Sequence, residues 1–133
     1  MKTIEVVAGI VRFEDASGCK RVLATKRGYG EFKGWWEFPG GKIENGETLQ
    51  DALARELLEE LAIRVSVDEF ICTVDYDYPN FHLTMHCFFC HIIDGSIKLL
   101  EHEDACLLTL NEIRSVNWLP ADAEALRPIE EAF

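Results

Sequence analysis

Residues 41–63 read GKIENGETLQDALARELLEELAI. Glu47 follows Gly41 after five residues, Arg55-Glu56 follows Glu47 after seven, and Glu59-Glu60 comes close behind. The segment Thr48–Leu61 lacks Gly and Pro and is rich in Leu, Ala, Glu and Arg, so it is expected to be a helix. Thr48 with Asp51 three residues later resembles a capping box, with Asp in place of the usual Glu or Gln. Each helical residue advances about 100°; with Glu56 at zero, Glu60 falls near ~40° and Glu59 near ~300°. Ala54, Leu57, Leu58 and Leu61 fall at about 100–200°. One face is therefore expected to pack on a core while the other presents Glu56, Glu59 and Glu60.

Such a cluster is unfavourable in isolation. Like charges at i,i+4 repel by a few tenths of a kcal/mol, and Glu56–Glu60 is such a pair. For a generic Glu-rich helix the ordinary outcome is a solvated acidic face. Hard cations such as Mg²⁺ take oxygen ligands and remove the repulsion. Three acids at this spacing, behind a glycine loop, suit a site that holds divalent cations against a phosphate chain.

The same residues resemble the signature of the Nudix hydrolases. That signature runs Gly, five residues, Glu, seven residues, Arg-Glu, an apolar residue, any residue, Glu-Glu, any residue, Gly, an apolar residue. Gly41, Glu47, Arg55, Glu56, Leu57, Glu59, Glu60 and Ile63 match it. Ala62 departs, standing where the family usually has Gly; if its φ is positive the local cost is about 1 kcal/mol, with no catalytic group lost. The resemblance extends to Phe38-Pro39-Gly40-Gly41-Lys42-Ile43-Glu44, to Ile4–Val11 and to Leu119-Pro120-Ala121-Asp122, and is nearest the MutT and CTP pyrophosphohydrolase branch. It implies an α/β fold: an α/β/α sandwich with a mixed central sheet, the box helix and a C-terminal helix, with residues 1–133 as a single Nudix domain. It implies a Mg²⁺-dependent nucleoside triphosphate pyrophosphohydrolase, with Mn²⁺ as a substitute ion, releasing nucleoside monophosphate and pyrophosphate. Other Nudix enzymes cleave nucleotide sugars or dinucleotides, and non-catalytic relatives often lack the box glutamates, all of which are present here.

Size and composition bound the reading. At 133 residues the chain is long enough to bury a core, and 48% hydrophobic content argues against disorder. No apolar run approaches a membrane span and the N-terminus lacks a signal peptide's pattern, so a cytoplasmic location is expected. A net charge of −11 argues against a nucleic-acid polymer as partner but not against a nucleotide, because metal ions can bridge an acidic site and a polyanion. Whether the chain is a monomer or a homodimer stays open. Five cysteines, an odd number, suit reduced thiols better than a disulfide scaffold. Cys87 and Cys90 form a CxxC, but on a strand they point to opposite faces, which disfavours zinc or redox use.

Along the chain, Lys2–Glu14 and Cys19–Lys26 are expected as strands around the turn Asp15–Gly18, and Arg27–Trp36 as a loop. Val65–Tyr78 and Phe81–Ile93 are expected as a second pair of strands around Pro79-Asn80. Ile97–Leu100 and Cys106–Thr109 are expected as short strands and Leu110–Val116 as a helical turn. Asp122–Phe133 is expected as a C-terminal helix, with Pro128 placed to break it.

Roles follow from chemistry and from the resemblance. Glu56, Glu59 and Glu60 are the candidate metal ligands, and the family implies the Gly40 carbonyl as a fourth. Arg55 is expected to orient carboxylates through charge-assisted hydrogen bonds, with Glu47 either as its partner or as an exposed first-turn acid. In MutT-type relatives the general base comes from a loop before a late strand, here Glu101-His102-Glu103-Asp104. Glu103 aligns best with that position, ahead of Glu101 and His102. Arg27 and Asp122 match positions that contact the base. The 8-oxo-guanine-specific pattern has Asn where this chain has Asp122. An ionised Asp122 suits the exocyclic amine of cytosine, whereas a protonated one would donate to an oxidised purine. Phe81 stands where the MutT pattern has Arg, and both Phe81 and Phe38 are candidates for the nucleoside pocket wall.

Overall fold

Strand β1 (Lys2–Glu14) is the axis of the molecule. The computed structural model describes residues 1–133. Strand β1 pairs antiparallel with β2 (Lys20–Arg27) near its C-terminal end and with β4 (Gly40–Lys42) at Val6–Ala8. Along Lys2–Val11 it runs parallel to β6 (Phe81–Asp94). Strand β3 (Trp36–Glu37) and strand β7 (His102–Leu108) both pair with β2, and β5 (Arg64–Tyr78) pairs with β6 across the Pro79-Asn80 turn. The resulting mixed sheet has seven strands, with the path β3-β2-β1-β6-β5.

Successive residues of β1 and β6 serve two different cores. Val7, Val11, Phe88 and Cys90 face helix α1 (Leu49–Leu61), while Ala8, Ile10, Cys87 and Phe89 face helices α2 (Pro120–Glu124) and α3 (Leu126–Ala132). Both faces of these central strands are covered, so they read as nearly continuous apolar runs. The architecture is an α/β/α sandwich. Cys87 and Cys90 lie in opposite cores, as strand alternation requires.

Four local expectations need correction. Ile97–Leu100 is not a strand: the Lys98 and Leu100 amides donate to the Leu61 and Glu60 carbonyls at 2.9 and 3.2 Å, satisfying the C-terminal end of α1 instead of a sheet. Strand β7 starts at His102, well before Cys106, because its polar first residues pair with β2 on a half-exposed edge. Leu110–Val116 forms turns and no helix. The C-terminal helix is two helices, α2 and α3, meeting at Ala125. Pro128 lies in the first turn of α3, where its missing N–H forfeits no helical bond.

The buried face of α1 also differs from the expected one. It consists of Ala52, Leu53, Leu57 and Leu61, while Ala54 is half-buried and Leu58 is exposed. The face that meets the sheet is thus rotated toward the acids. Glu56 and Glu60 sit at the margin of the core and not opposite it.

Both ends of α1 follow from the sequence. The Thr48 hydroxyl accepts from the Asp51 amide at 3.1 Å, a side-chain cap of the first turn. At the other end Ala62 adopts φ 58°, ψ 32°, and its amide donates to the Leu58 carbonyl at 3.0 Å. A left-handed residue with a Cβ costs on the order of 1 kcal/mol where Gly costs little. Ala62→Gly is therefore expected to raise stability by about 0.5–1 kcal/mol, a few degrees in Tm, while Thr48→Ala lowers it by about 1 kcal/mol; thermal and urea unfolding measure both.

Candidate active site

Arg55 is the hub of the acidic cluster. Its Nε donates to Glu47 Oε2 at 2.7 Å and its Nη2 to Glu47 Oε1 at 2.9 Å, a bidentate pair. Its Nη1 donates to Glu56 at 3.1 Å and to Glu59 at 3.3 Å, and its Nη2 also reaches the Lys42 carbonyl at 3.0 Å. Hydrogen bonds donated to Glu47, then to Glu56, hold the guanidinium pKa above its ordinary value against partial burial. Glu47 accepts a further bond from the Glu44 amide at 2.8 Å, which locks the loop before α1. One cation thus fixes three box acids and the preceding loop.

Glu60 has no such partner. Its Oε2 is buried and makes no hydrogen bond. Burial, then repulsion from Glu56, Glu101 and Glu37, pushes its pKa up to about 9. Burial also raises the Glu56 pKa, opposed by Arg55. Backbone packs close around these acids. A Cβ at Gly41 would lie 2.4 Å from Glu56 Cδ, and one at Gly40 would lie 1.9 Å from the Val7 carbonyl oxygen. Only glycine fits at either position.

No three of the acidic side chains converge closely enough in this structure to enclose an ion. Of the candidate ligands, Glu59, whose side chain is 58% exposed, turns to Arg55. The residues nevertheless suit a hard divalent cation. Their donors are all oxygen, and Glu60 offers a buried oxygen with nothing bound to it.

A cavity of about 170 Å³ lies on the α2–α3 side of the sheet. Its walls include Arg27, Phe38, Tyr78, Phe81, Met85 and Asp122. Phe38 stacks on Trp118 with ring centroids 4.3 Å apart, and Phe81 stacks on Tyr78 at 5.1 Å, so both rings are held in fixed planes. Trp35 packs edge-on against Phe32 and Trp36 belongs to β3; neither lines the cavity. Asp122 is the buried acid of this wall, 4% exposed. Its Oδ2 accepts from the Phe38 amide at 2.9 Å. Burial pushes its pKa up to about 7 against that bond and against Arg27.

A second hollow of about 380 Å³ adjoins the first, sharing Arg27, Glu37, Gly40, Gly41 and Phe81 and adding Glu60, Glu101 and His102. Glu37 joins the two. It accepts from Arg27 Nη2 at 3.0 Å and stands 3.5 Å from His102 Nε2. Glu103 does not line this groove: it falls at a β-bulge, unpaired between the Lys26–Asp104 and Arg27–His102 pairs, and its carboxylate stands 3.9 Å from Lys26 Nζ. Of the loop residues, the structure brings Glu101 and His102 to Glu60.

Sequence reasoning missed Glu37, Tyr78 and Phe32 in these walls. Glu37 carries the only usable signal, a lone acid inside the aromatic run Trp35-Trp36-Glu37-Phe38. Phe32 is recruited by a left-handed backbone, φ 64°, which no local pattern announces.

Known proteins are similar to this chain in sequence and fold. A family model described as NUDIX domain matches residues 3–132. The chain is 32% identical to the CTP pyrophosphohydrolase of Escherichia coli over 133 residues, covering 100% of this chain and 93% of that one. It is 34% identical to the 8-oxo-dGTP diphosphatase of Proteus vulgaris over 107 residues, covering 79% and 89%. The crystal structure of a MutT NUDIX hydrolase from Burkholderia pseudomallei superposes with a TM-score of 0.83 at 25% identity, covering 97% of this chain and 99% of that one.

The raised carboxyl pKa values set the pH response without divalent ions. Between the ordinary carboxylate range and about 9, folded Glu60 keeps a proton that the unfolded chain has released, so raising pH through that interval weakens folding. Asp122 acts with the same sign up to about 7. In EDTA, Tm is expected to fall steadily from about pH 5.5 to about pH 8.5, a window inside the interval between the ordinary carboxyl and the raised Glu60 pKa, while Mg²⁺ raises Tm more at the upper pH than at the lower. Scanning calorimetry at fixed ionic strength tests this; equal Mg²⁺ effects at the two pH values contradict it.

Proposed function

The chain belongs to the Nudix family of pyrophosphohydrolases, and we propose that it is a Mg²⁺-dependent nucleoside triphosphate pyrophosphohydrolase whose preferred base is cytosine or a modified cytosine. The observation that carries this reading is the junction of two unlike sites. An aromatic cavity floored by Asp122 opens directly into a groove containing Glu60 and Glu101. A nucleotide has the same division, a flat base at one end and a polyanion at the other. Residues 1–133 act as one domain in this reading, since both cores share strands β1 and β6.

A bound divalent ion supplies positive charge that neutralises the phosphate oxygens and the groove's own acids. The chain does the rest. Arg55 holds Glu56 and Glu59 in place, and its own partner Glu47 keeps the guanidinium from swinging toward substrate. Phe38 and Phe81 hold the base in the cavity. Ionised Asp122 accepts from the amine of cytosine, and Arg27, fixed by Glu37, stands beside it as a donor. Glu101 is assigned as the group that takes the proton of the attacking water, in place of Glu103, because Glu101 lines the groove with Glu60. Water adds to phosphorus, the anhydride bond breaks, and nucleoside monophosphate and pyrophosphate leave.

A second base preference rests on one specific observation. With its pKa raised to about 7, Asp122 is partly protonated near neutrality and then donates a hydrogen bond. That form suits a carbonyl of an oxidised purine such as 8-oxo-guanine. A relative named for CTP supports the first alternative, and relatives named for 8-oxo-dGTP support the second.

Pyrophosphate release across CTP, dCTP, 5-substituted dCTP, 8-oxo-dGTP, the common triphosphates, ADP-ribose and a nucleotide sugar separates these readings. The expected result is a cytosine preference that Asp122→Asn erodes. A preference for 8-oxo-dGTP that strengthens as pH falls through about 7 selects the second. Turnover of the sugar or dinucleotide compounds alone rejects both. On the preferred substrate Glu101→Gln is expected to lower kcat by roughly 10²–10⁴ with KM little changed, and Glu103→Gln to stay within a few-fold of wild type. The reverse pattern returns the base to Glu103.

A further inference from the structure

Strands β5 and β6 set Cys72 directly across from Cys87. Both side chains lie on the α2–α3 side of the sheet: Cys87 is fully buried in that core and Cys72 packs half-buried against it. Directly opposed residues of an antiparallel pair have Cα atoms about 4.5–5.5 Å apart. A disulfide spans Cα separations of about 4.4–6.8 Å, so this pair can be bridged without moving either strand. The remaining cysteines are placed elsewhere. Cys90 faces the opposite core from Cys87, Cys19 follows the first turn, and Cys106 is on β7. The sequence-adjacent CxxC is thus the pair that cannot close, and the distant pair is the one that can.

We propose that Cys72 and Cys87 form a reversible disulfide by exchange with a low-molecular-weight disulfide such as oxidised glutathione. Cys72 reacts first, being the half-exposed partner. The hydrogen bond from the Cys87 thiol favours its thiolate, lowering the Cys72 pKa and raising that of Cys87, which burial raises further. The Cys72 thiolate attacks one sulfur of the small disulfide. The sulfur–sulfur bond breaks, and the expelled thiolate takes up the proton that Cys72 released. Cys87 then gives up its proton and attacks the Cys72 sulfur of the mixed disulfide, expelling the second small thiolate, which is protonated in turn. Two protein thiols are oxidised and one small disulfide is reduced to two thiols.

The position gives the bond a structural reach. Phe81, Leu83 and Met85 alternate along the same face of β6 and line the nucleoside cavity, and Cys87 is next in that row. The bridge would tie the β5–β6 hairpin together at the inner end of that wall.

The test is incubation of the full chain in graded oxidised and reduced glutathione, acid quenching, thiol titration under denaturing conditions and peptide mapping with chymotrypsin. Cleavage after Tyr76 or Phe81 puts the two cysteines on separate peptides. The expected product has lost two of its five thiols, is lighter by two hydrogens, carries a Cys72–Cys87 cross-link and is restored by reductant. Cys72→Ser, at a half-exposed site that tolerates a hydroxyl, is expected to keep its four thiols under the same conditions, counting five less the one replaced. Persistence of all five thiols in the wild type, a glutathione adduct that stops at Cys72, or a cross-link to Cys90 overturns the proposal.

Discussion

Glu60 is held where a carboxylate is least at ease. Its helix presses Ala52, Leu53, Leu57 and Leu61 onto the sheet, and that packing carries Glu60 to the edge of the core beside Glu56. One oxygen is left buried without a partner, against repulsion from Glu56, Glu101 and Glu37. A group with a pKa near 9 in a fold that could have solvated it stores unfavourable free energy. The Arg55 network compensates Glu47, Glu56 and Glu59 but does not reach Glu60. The fold therefore leaves its least compensated acid at one oxygen, at the mouth of a groove. Gly40 and Gly41 bring backbone so close that no side chain intervenes.

The aromatic cavity repeats the pattern in milder form. Asp122 is buried beneath aromatic rings but keeps one bond from the Phe38 amide, and its pKa stops near 7. Glu37 couples the two ends, because its carboxylate pairs with Arg27 at the cavity and approaches His102 at the groove. Burial raises its pKa, yet the His102 and Arg27 contacts outweigh that and leave it lowered. It stays charged where Glu60 does not. One ionised acid, Glu37, thus stands between the two acids whose burial raises their pKa.

Much of this was legible in the chain. The glycine spacing, the acids of 47–60 and the apolar strands around them point to the fold because each rests on a local period or a short motif. Thr48 as a cap and Ala62 at the helix end were readable for the same reason. What could not be read depends on contacts between distant segments. The loop 97–100 looks like a strand, yet its amides are taken by the α1 carbonyls. Leu58 has the right composition for the core but the wrong rotation about the axis, and only the sheet's position fixes that angle. Glu101 and Glu103 are alike in chemistry. Which one faces Glu60 depends on where β7 begins and on its bulge at Glu103, between the Lys26–Asp104 and Arg27–His102 pairs, and both depend on pairing with the distant β2.

The most direct test removes one charge and keeps its shape. Glu60→Gln should be more stable than wild type in EDTA near pH 8 and should gain less Tm from added Mg²⁺, while its kcat for pyrophosphate release falls by at least ~10². Stability and turnover then move in opposite directions, as expected if the buried oxygen is kept for a cation. A Glu60→Gln protein that is less stable than wild type in EDTA, or that turns over substrate at the wild-type rate in saturating Mg²⁺, contradicts the account.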